Sequence, residues 1–255
     1  MPVNFAGSYT QNFDTLANTG TPTWTNDTTL PGWFLYRQPA TPAATAITAY
    51  TADGGTATGG SFYSYGSTSS TDRALGGLGS GGAYFGSPAA GNIAGWIAFS
   101  TTNTTGSTIN SLNVSFNGEQ WRNSNATAQP MVLEYGLGAT FDSVTWTAPG
   151  GNFDWTSPVA TATTAAVDGN VAGRVAGRGG ALNGLNWANN STLWLRWVER
   201  NDTGNDHGLA IDDFSISLSA QPDLTITSSA PATATVNTPF NYTLTLANSG
   251  TAAAT

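Results

Sequence analysis

Residues 111–117 read SLNVSFN, and this stretch decides the fold class. Its apolar side chains, Leu112, Val114 and Phe116, alternate with polar ones, which places one face of the segment against a core and the other in water. The same two-residue period recurs in residues 131–135, which read MVLEY. No window of a dozen residues shows a convincing 3.6-residue apolar period. The sequence therefore predicts an all-β fold.

Two further segments are apolar at nearly every position. Residues 96–99 read WIAF and residues 193–198 read LWLRWV, which is typical of central strands that are covered on both faces. Between residues 53 and 95 the chain is rich in Gly and Ser but keeps aromatic residues at short intervals, as in GGSFYSYGS at 59–67. Disordered linkers normally lack such aromatics, so we expect short strands and ordered loops there.

The chain changes character at residues 219–223, where the polar stretch SAQPD contains a proline. We predict a domain boundary here, with one large domain at residues 1–219 and a tail at residues 220–255. The tail holds LTI at 224–226 and the alternating segment FNYTLTL at 240–246. Two or three strands cannot bury a face alone. The tail therefore continues into further chain, docks on the first domain, or completes a sheet in a neighbouring molecule.

Composition narrows the classes of partner. Only 9% of the 255 residues are charged, the formal net charge is -8, and the seven basic residues are all arginine and are scattered along the sequence. A nucleic-acid site needs a clustered basic patch, so we expect no nucleic-acid partner. Cysteine is absent, which excludes disulfides and thiolate metal sites.

The compartment is argued from the same composition. With so few charges, the polar surface comes from Thr, Ser, Asn and Gly, a composition typical of surface proteins. The apolar runs are too short for a transmembrane segment, and no basic region precedes an apolar one as it does in an export signal. We expect an extracellular or cell-surface protein in a form that lacks its export signal.

Few residues are suited to catalysis. The single histidine, His207, lies in a Gly/Asp/Asn loop, where a histidine is typically a solvated or turn residue, and one histidine cannot form a three-histidine metal site. Glycoside hydrolysis needs two carboxylates on one cleft, and Glu119 and Glu134 are the candidates. For Glu119 we favour a simpler interpretation, an ion pair with Arg122 beneath Trp121. We therefore expect a non-catalytic protein.

Residues 201–218 read NDTGNDHGLAIDDFSISL and contain a change of apolar parity. Leu209 and Ile211 occupy odd positions, whereas the apolar residues from Phe214 onward occupy even ones. A strand with a two-residue period accommodates this change only with an extra residue. The pattern therefore predicts a β-bulge or kink near residues 211–213.

Such a kink brings the adjacent carboxylates of Asp212 and Asp213 beside an aliphatic core, where an unpaired charge is very costly. A bound cation removes that cost. Because only oxygen ligands are present, a hard ion such as calcium is expected. The alternative, that these carboxylates only bond turn amides, stays open.

Three stretches resemble the ends of bacterial cell-surface jelly-roll domains and, more distantly, of MAM domains: YTQNFDTL at 9–16, LPGWF at 30–34 and GLAIDDF at 208–214. The stretch GEQWR at 118–122 is also similar to the bacterial group. The resemblance covers most of residues 5–218. It implies a jelly-roll β-sandwich whose terminal strands are adjacent.

The same resemblance implies a structural calcium site shared by the first and last strands, which maps here to Asp14 and Asp213. We add Asp212 and Asp206 as candidate ligands, either of which could cap the loop at residues 201–207 instead.

A second resemblance covers residues 222–254, which are similar to the first half of an immunoglobulin-like repeat of long bacterial surface proteins. The similarity stops where the later strands of that repeat begin. Unpaired strand edges template pairing with another chain. An alternative function is therefore a filament subunit that inserts strands of residues 222–255 into an adjacent copy.

Sugar sites in proteins pair the face of an aromatic ring with polar side chains such as Asn, Asp, Arg and Gln. The candidates here, each of which is also explained as a packing residue, are Tyr63, Tyr65, Trp121 with Arg122 and Glu119, and Trp155. We expect an extracellular adhesion module that binds a glycan or cell-surface polymer and holds one structural calcium. The alternatives are the filament subunit and a glycan hydrolase.

Overall fold

The structure is a computed structural model that describes residues 2–38, 43–219 and 224–248. The chain divides into two compact units, residues 1–217 and 218–255, close to the boundary that the composition predicts. Most of the predicted boundary stretch, residues 220–223, and the end of the immunoglobulin-like resemblance, residues 249–254, lie outside the described residues.

Strands account for the regular structure of both units. In chain order they are β1 (Val3–Phe5), β2 (Ser8–Gln11), β3 (Trp33–Arg37), β4 (Thr45–Ala46), β5 (Thr51–Asp53), β6 (Ser61–Tyr65), β7 (Ala74–Leu78), β8 (Ile93–Asn103), β9 (Ile109–Asn123), β10 (Pro130–Leu137), β11 (Trp155–Thr156), β12 (Ala165–Ala166), β13 (Arg174–Trp187), β14 (Thr192–Arg200), β15 (Gly208–Leu218), β16 (Leu224–Ser229) and β17 (Thr243–Asn248). Three single-turn 3-10 helices occur at Ala83–Phe85, Phe141–Ser143 and Gly151–Phe153. In the described ranges no helix is long and apolar enough to cross a membrane.

Two sheets form the large unit. The first sheet has the order β11-β10-β14-β8-β3-β4, with β1 beside β8, and the second has the order β12-β9-β15-β7-β6-β5, with β13 beside β9 and β2 beside β15. From β7 to β10, consecutive strands alternate between the two sheets, as in a jelly roll. The predicted all-β sandwich is confirmed.

The core lies between the sheets and is rich in aromatic rings. Trp33 of β3 stacks on Trp197 of β14 with ring centroids 5.8 Å apart, and Phe214 of β15 meets both rings edge-on. Side chains at the alternate positions of β14, such as Trp194 and Val198, face away from this core and join a second apolar cluster on the outer face of the first sheet. The prediction of central strands covered on both faces is confirmed.

Strand β15 contains the predicted kink. Leu209 and Ile211 are buried in the core, and after the change of parity Phe214 and Ile216 are buried there too. Between these pairs Asp213 adopts a left-handed backbone with φ of 49°, which a regular strand does not use. This extra residue places Asp213 at the surface while its neighbours stay buried.

The second unit is an antiparallel pair of strands in its described part, in which Ile226 of β16 faces Leu246 of β17. The alternate residues Leu224, Ile226, Leu244 and Leu246 lie on one face, and all four are exposed, Ile226 by 72% and Leu246 by 65%.

Candidate functional site

The terminal strands of the sandwich are adjacent, because Gln11 of β2 pairs with Phe214 of β15. Asp14 follows β2 at the surface, where its carboxylate accepts hydrogen bonds from Asn12 Nδ2 at 2.6 Å and from the backbone amide of Arg73 at 3.2 Å. The contact with Asn12 is local to the turn, whereas the amide of Arg73 comes from a distant segment. Asp14 also remains accessible to a cation.

Asp213 contacts two polar side chains, those of Asn117 and Arg174. Its Oδ2 accepts a hydrogen bond from Asn117 Nδ2 at 2.8 Å and lies 3.9 Å from Arg174 Nη2. Beside it Asp212 is buried and accepts a hydrogen bond from the amide of Asp213 at 2.7 Å. The two adjacent carboxylates therefore differ in exposure, as the kink requires.

A group of carboxylates surrounds Asp212 on the second sheet. Burial, followed by the charge of Glu119 as the next largest cause, raises the pKa of Asp212 to about 8. Burial likewise raises the pKa of Glu119 to about 7, with contributions from the charges of Asp72 and Asp213. These side chains repel one another, and among the residues that the structure describes Arg174 is their ion-pair partner, 3.9 Å from Asp213.

This arrangement bears on the calcium expected from the resemblance. Carboxylate oxygens are suitable ligands for calcium, and a cation would relieve the repulsion around Asp212 and Asp213. Within the described ranges, however, no three His, Asp or Glu side chains are already positioned to hold a metal ion. Asp206 lies at the polar cavity described below and not with the other candidates.

Glu119 does not pair with Arg122, so that interpretation is wrong. The Glu119 carboxylate accepts a hydrogen bond from the indole nitrogen of Trp121 at 2.9 Å. The Arg122 guanidinium instead donates to the carbonyl oxygens of Gly55 and Thr56 at 3.0 and 3.2 Å. We expected Trp121 to cover an ion pair, but Trp121 is itself the hydrogen-bond partner of the Glu119 carboxylate.

The four aromatic candidates for sugar binding are packing residues in this structure. Tyr63, Tyr65 and Trp121 form a small buried cluster on the second sheet, and the backbone of Gly169 lies against the Trp121 indole. Trp155 is buried in the main core. A sugar needs an accessible ring face, and these rings have none.

Glu119 and Glu134 do not form the predicted pair for glycoside hydrolysis. Glu119 lies on β9 of the second sheet, whereas Glu134 lies on β10 of the first. Glu134 Oε2 is bound by Arg196 at 2.6 Å, and the Arg196 guanidinium is stacked 3.9 Å from the centre of the Trp146 ring. The two carboxylates therefore belong to separate surroundings, and that candidate pair is wrong.

A polar cavity of about 250 Å³ brings Arg122 and Asp206 together, although the sequence suggested them for different sites. Its other lining residues, which the sequence analysis did not single out, are Thr58, Leu78, Ser80, Gly81, Ser124, Thr164, Asn201, Gly204 and Asn205. They come from distant segments and share no motif, so no sequence signal identifies them as a group.

The loop at residues 201–207 forms one wall of this cavity and is held by buried hydrogen bonds. Asp206 is 7% exposed and accepts a bond from the amide of Asp202 at 2.6 Å. His207 is buried rather than solvated, with Nδ1 3.0 Å from Gln120 Nε2 and its amide bonded to Gln129 Oε1. Burial lowers the pKa of His207, which keeps the ring neutral. The wall is therefore positioned by the fold.

Two carboxyl groups at or near this cavity are buried, and their burial raises their pKa values. Burial raises the pKa of Asp206 to about 7. Glu199 of β14 is 4% exposed, and its Oε1 accepts a hydrogen bond from the amide of Gly79, next to the cavity residues Leu78 and Ser80. Glu199 Oε2 has no hydrogen-bond partner, and burial raises the pKa of this carboxyl well above its ordinary value. Burial therefore favours the neutral form of the Glu199 carboxyl group.

Neither the models of known protein families nor the curated protein sequences contain a match to this chain.

Proposed function

We propose that this protein is a non-catalytic extracellular adhesion module whose sandwich binds a glycan in the cavity between Arg122 and Asp206. The observation that supports this proposal most directly is the lining of that cavity, where hydroxyl and amide side chains surround one guanidinium and one carboxyl group. Sugars present many hydroxyls, and sites for them use such side chains as donors and acceptors. A composition poor in charge and rich in Thr, Asn and Gly supports the extracellular location.

The size of the cavity limits the ligand. A volume of about 250 Å³ lies below the range of about 300–1,000 Å³ that is typical of pockets for drug-sized molecules. The cavity therefore suits one sugar residue at the end or side of a glycan rather than several consecutive residues.

A glycan array probed with the full chain tests the proposal. Thr164 lies exposed on the cavity lining, so Thr164→Trp is expected to block the cavity and abolish binding without disturbing the core. Thr145→Trp, at an exposed position outside the lining, is the matched control and is expected to bind as the parent does. Equal binding by all three proteins would reject this cavity as the glycan site.

The structural calcium is a second part of the proposal. It is supported by the adjacent terminal strands and by the mutual repulsion of the carboxylates near Asp213. We expect a chelator to lower the melting temperature and added calcium to restore it. Asp213→Asn should remove most of that response, whereas Asp142→Asn, a surface carboxylate on another segment, should keep it. A melting temperature that changes with neither chelator nor added calcium contradicts the proposal.

A filament subunit is the second candidate function, and the exposed apolar face of β16 and β17 favours it. Two strands with exposed leucines gain stability by packing on another surface. The double substitution Leu244→Asp and Leu246→Asp should abolish self-association in sedimentation, whereas Thr243→Asp with Thr245→Asp on the other face should not. A full chain that stays monomeric at all concentrations excludes this candidate.

A further inference from the structure

The Arg122 guanidinium is a buried cation that faces a cavity. Arg122 is 9% exposed, and it donates hydrogen bonds through Nη1, to the carbonyl oxygens of Gly55 and Thr56. For Arg122 no ion pair within 4.0 Å is found among the described residues. The remaining guanidinium nitrogens are therefore available to a ligand.

A buried guanidinium without a counter-ion is unusual because it stays charged at any pH that proteins tolerate. Arg196 shows the ordinary solution on the first sheet of this molecule, where the Glu134 carboxylate binds the guanidinium at 2.6 Å. The two carbonyl oxygens on Arg122 fix its position but neutralise no charge. An anion from outside the chain would supply the missing partner.

The chemistry of the cavity favours one kind of anion. A guanidinium presents two parallel N–H donors, a geometry that matches a carboxylate. Around it Ser80, Ser124, Asn201 and Asn205 offer hydroxyl and amide groups that match the hydroxyls of a sugar ring. Asp206 is the acidic residue of the lining, and one of its carboxyl oxygens already accepts a hydrogen bond from the amide of Asp202 at 2.6 Å.

We propose that the cavity takes a sugar residue that carries a carboxylate, with the carboxylate bound by Arg122 and the ring hydroxyls bound by the amide and hydroxyl lining. This inference rests on the proposed glycan-binding function and specifies the class of sugar.

The test compares two probes that differ only at C6, methyl β-glucuronide with a carboxylate and methyl β-glucoside with a hydroxymethyl group, titrated into the full chain and followed by NMR. We expect the glucuronide to bind at least tenfold more tightly. Arg122→Gln should reduce its affinity to that of the glucoside, and Arg122→Lys should give an intermediate value because charge remains but the paired donors are lost. Arg178→Gln, a matched loss of charge outside the lining, should leave both affinities unchanged.

The possible outcomes distinguish the acidic-sugar inference from the proposed glycan-binding function on which it rests. Equal affinity for the two probes, or full affinity in Arg122→Gln, overturns the acidic-sugar inference while the cavity stays a glycan site. Absence of binding by either probe to the parent protein overturns the inference, and the glycan array then decides the proposed function separately. Thr164→Trp checks the location without touching a buried residue, since a blocked cavity should lose the glucuronide even if Arg122→Gln fails to fold. Full glucuronide affinity in Thr164→Trp overturns the inference.

Discussion

The indole nitrogen of Trp121 donates a hydrogen bond of 2.9 Å to Oε2 of Glu119, two residues earlier on the same strand. Both side chains are almost fully buried. The bond satisfies the indole, yet it leaves a carboxyl group in surroundings that favour its neutral form. This outer patch of the second sheet is therefore organised around an acid and an aromatic ring, and several consequences can be measured.

Gly169 closes the patch over Trp121, and a side chain at this position would not fit. A Cβ at residue 169 would stand 2.3 Å from the Trp121 indole nitrogen. We expect Gly169→Ala to lower the free energy of unfolding by about 1–3 kcal/mol through overpacking. Gly59→Ala is the matched control, because its Cβ would meet nothing within 4 Å. Denaturant unfolding of both variants gives the comparison, and equal stabilities would show that the loop simply moves aside.

Stability should fall as pH rises. The pKa values of Glu119, Asp206 and Asp212 are raised by burial to about 7, 7 and 8. The folded chain therefore keeps protons that the unfolded chain releases above the ordinary carboxyl values. The stability from these groups is fully present below those ordinary values and is lost as pH rises through 7 and 8. In the presence of a chelator, we expect a lower melting temperature at pH 8.5 than at pH 5.5.

The opposite slope, a melting temperature that rises between these two pH values, would contradict this prediction, because it would mean that the ionised carboxylates are stabilised in the folded chain.

Glu199 gives a sharper form of the pH effect. Glu199→Gln keeps an acceptor for the amide of Gly79 but cannot ionise. We expect it to raise the free energy of unfolding, because the unfolded parent chain gains more from ionising Glu199 the further the pH lies above the ordinary carboxyl value. The gain at pH 8.5 should exceed the gain at pH 5.5 by at least about 1 kcal/mol, since one pKa unit corresponds to about 1.4 kcal/mol.

Glu134→Gln supplies the contrast for Glu199→Gln. The Glu134 carboxylate binds Arg196, so its loss should reduce stability at both pH values. If the two variants behave alike, the burial of Glu199 has no special effect.

Two core tryptophans should differ in their tolerance of phenylalanine. The indole nitrogen of Trp33 donates to the Tyr9 hydroxyl at 3.0 Å, whereas that of Trp197 is buried without a partner. Both side chains are fully buried, so the loss of ring volume is similar. Trp33→Phe should therefore cost about 1 kcal/mol more than Trp197→Phe, the value of one hydrogen bond. Chemical denaturation measures the difference, and a larger cost for Trp197→Phe would contradict this assignment.

Local patterns were sufficient to predict the sandwich. The alternation around Val114 and the parity change before Phe214 follow from the two-residue period of a strand, which needs no knowledge of distant residues. Both features are present in the structure. Strand identity and the kink were therefore readable from the sequence.

The candidate site was readable only in part, because it depends on packing between distant segments. For Tyr65 and Trp121 the sequence leaves open both sugar binding and packing, and the fold decides for packing because it buries both rings in one cluster, with Gly169 against Trp121. Arg122 and Asp206 are 84 positions apart in sequence, as their numbers show, and no motif links them. Their meeting at one cavity follows from the sheet order, which the sequence pattern does not specify.

Asp213 is the extra residue of β15 and divides the strand into two halves. The inward side chains have odd residue numbers before it and even residue numbers after it. Without that one residue the two halves would share a single alternation, in which Ile211, Phe214 and Ile216 all keep their inward positions. The pairing would change instead, because the half that begins at Phe214 would move by one residue along its partner strand β2. The extra residue therefore sets which residues of the first and last strands of the sandwich face each other.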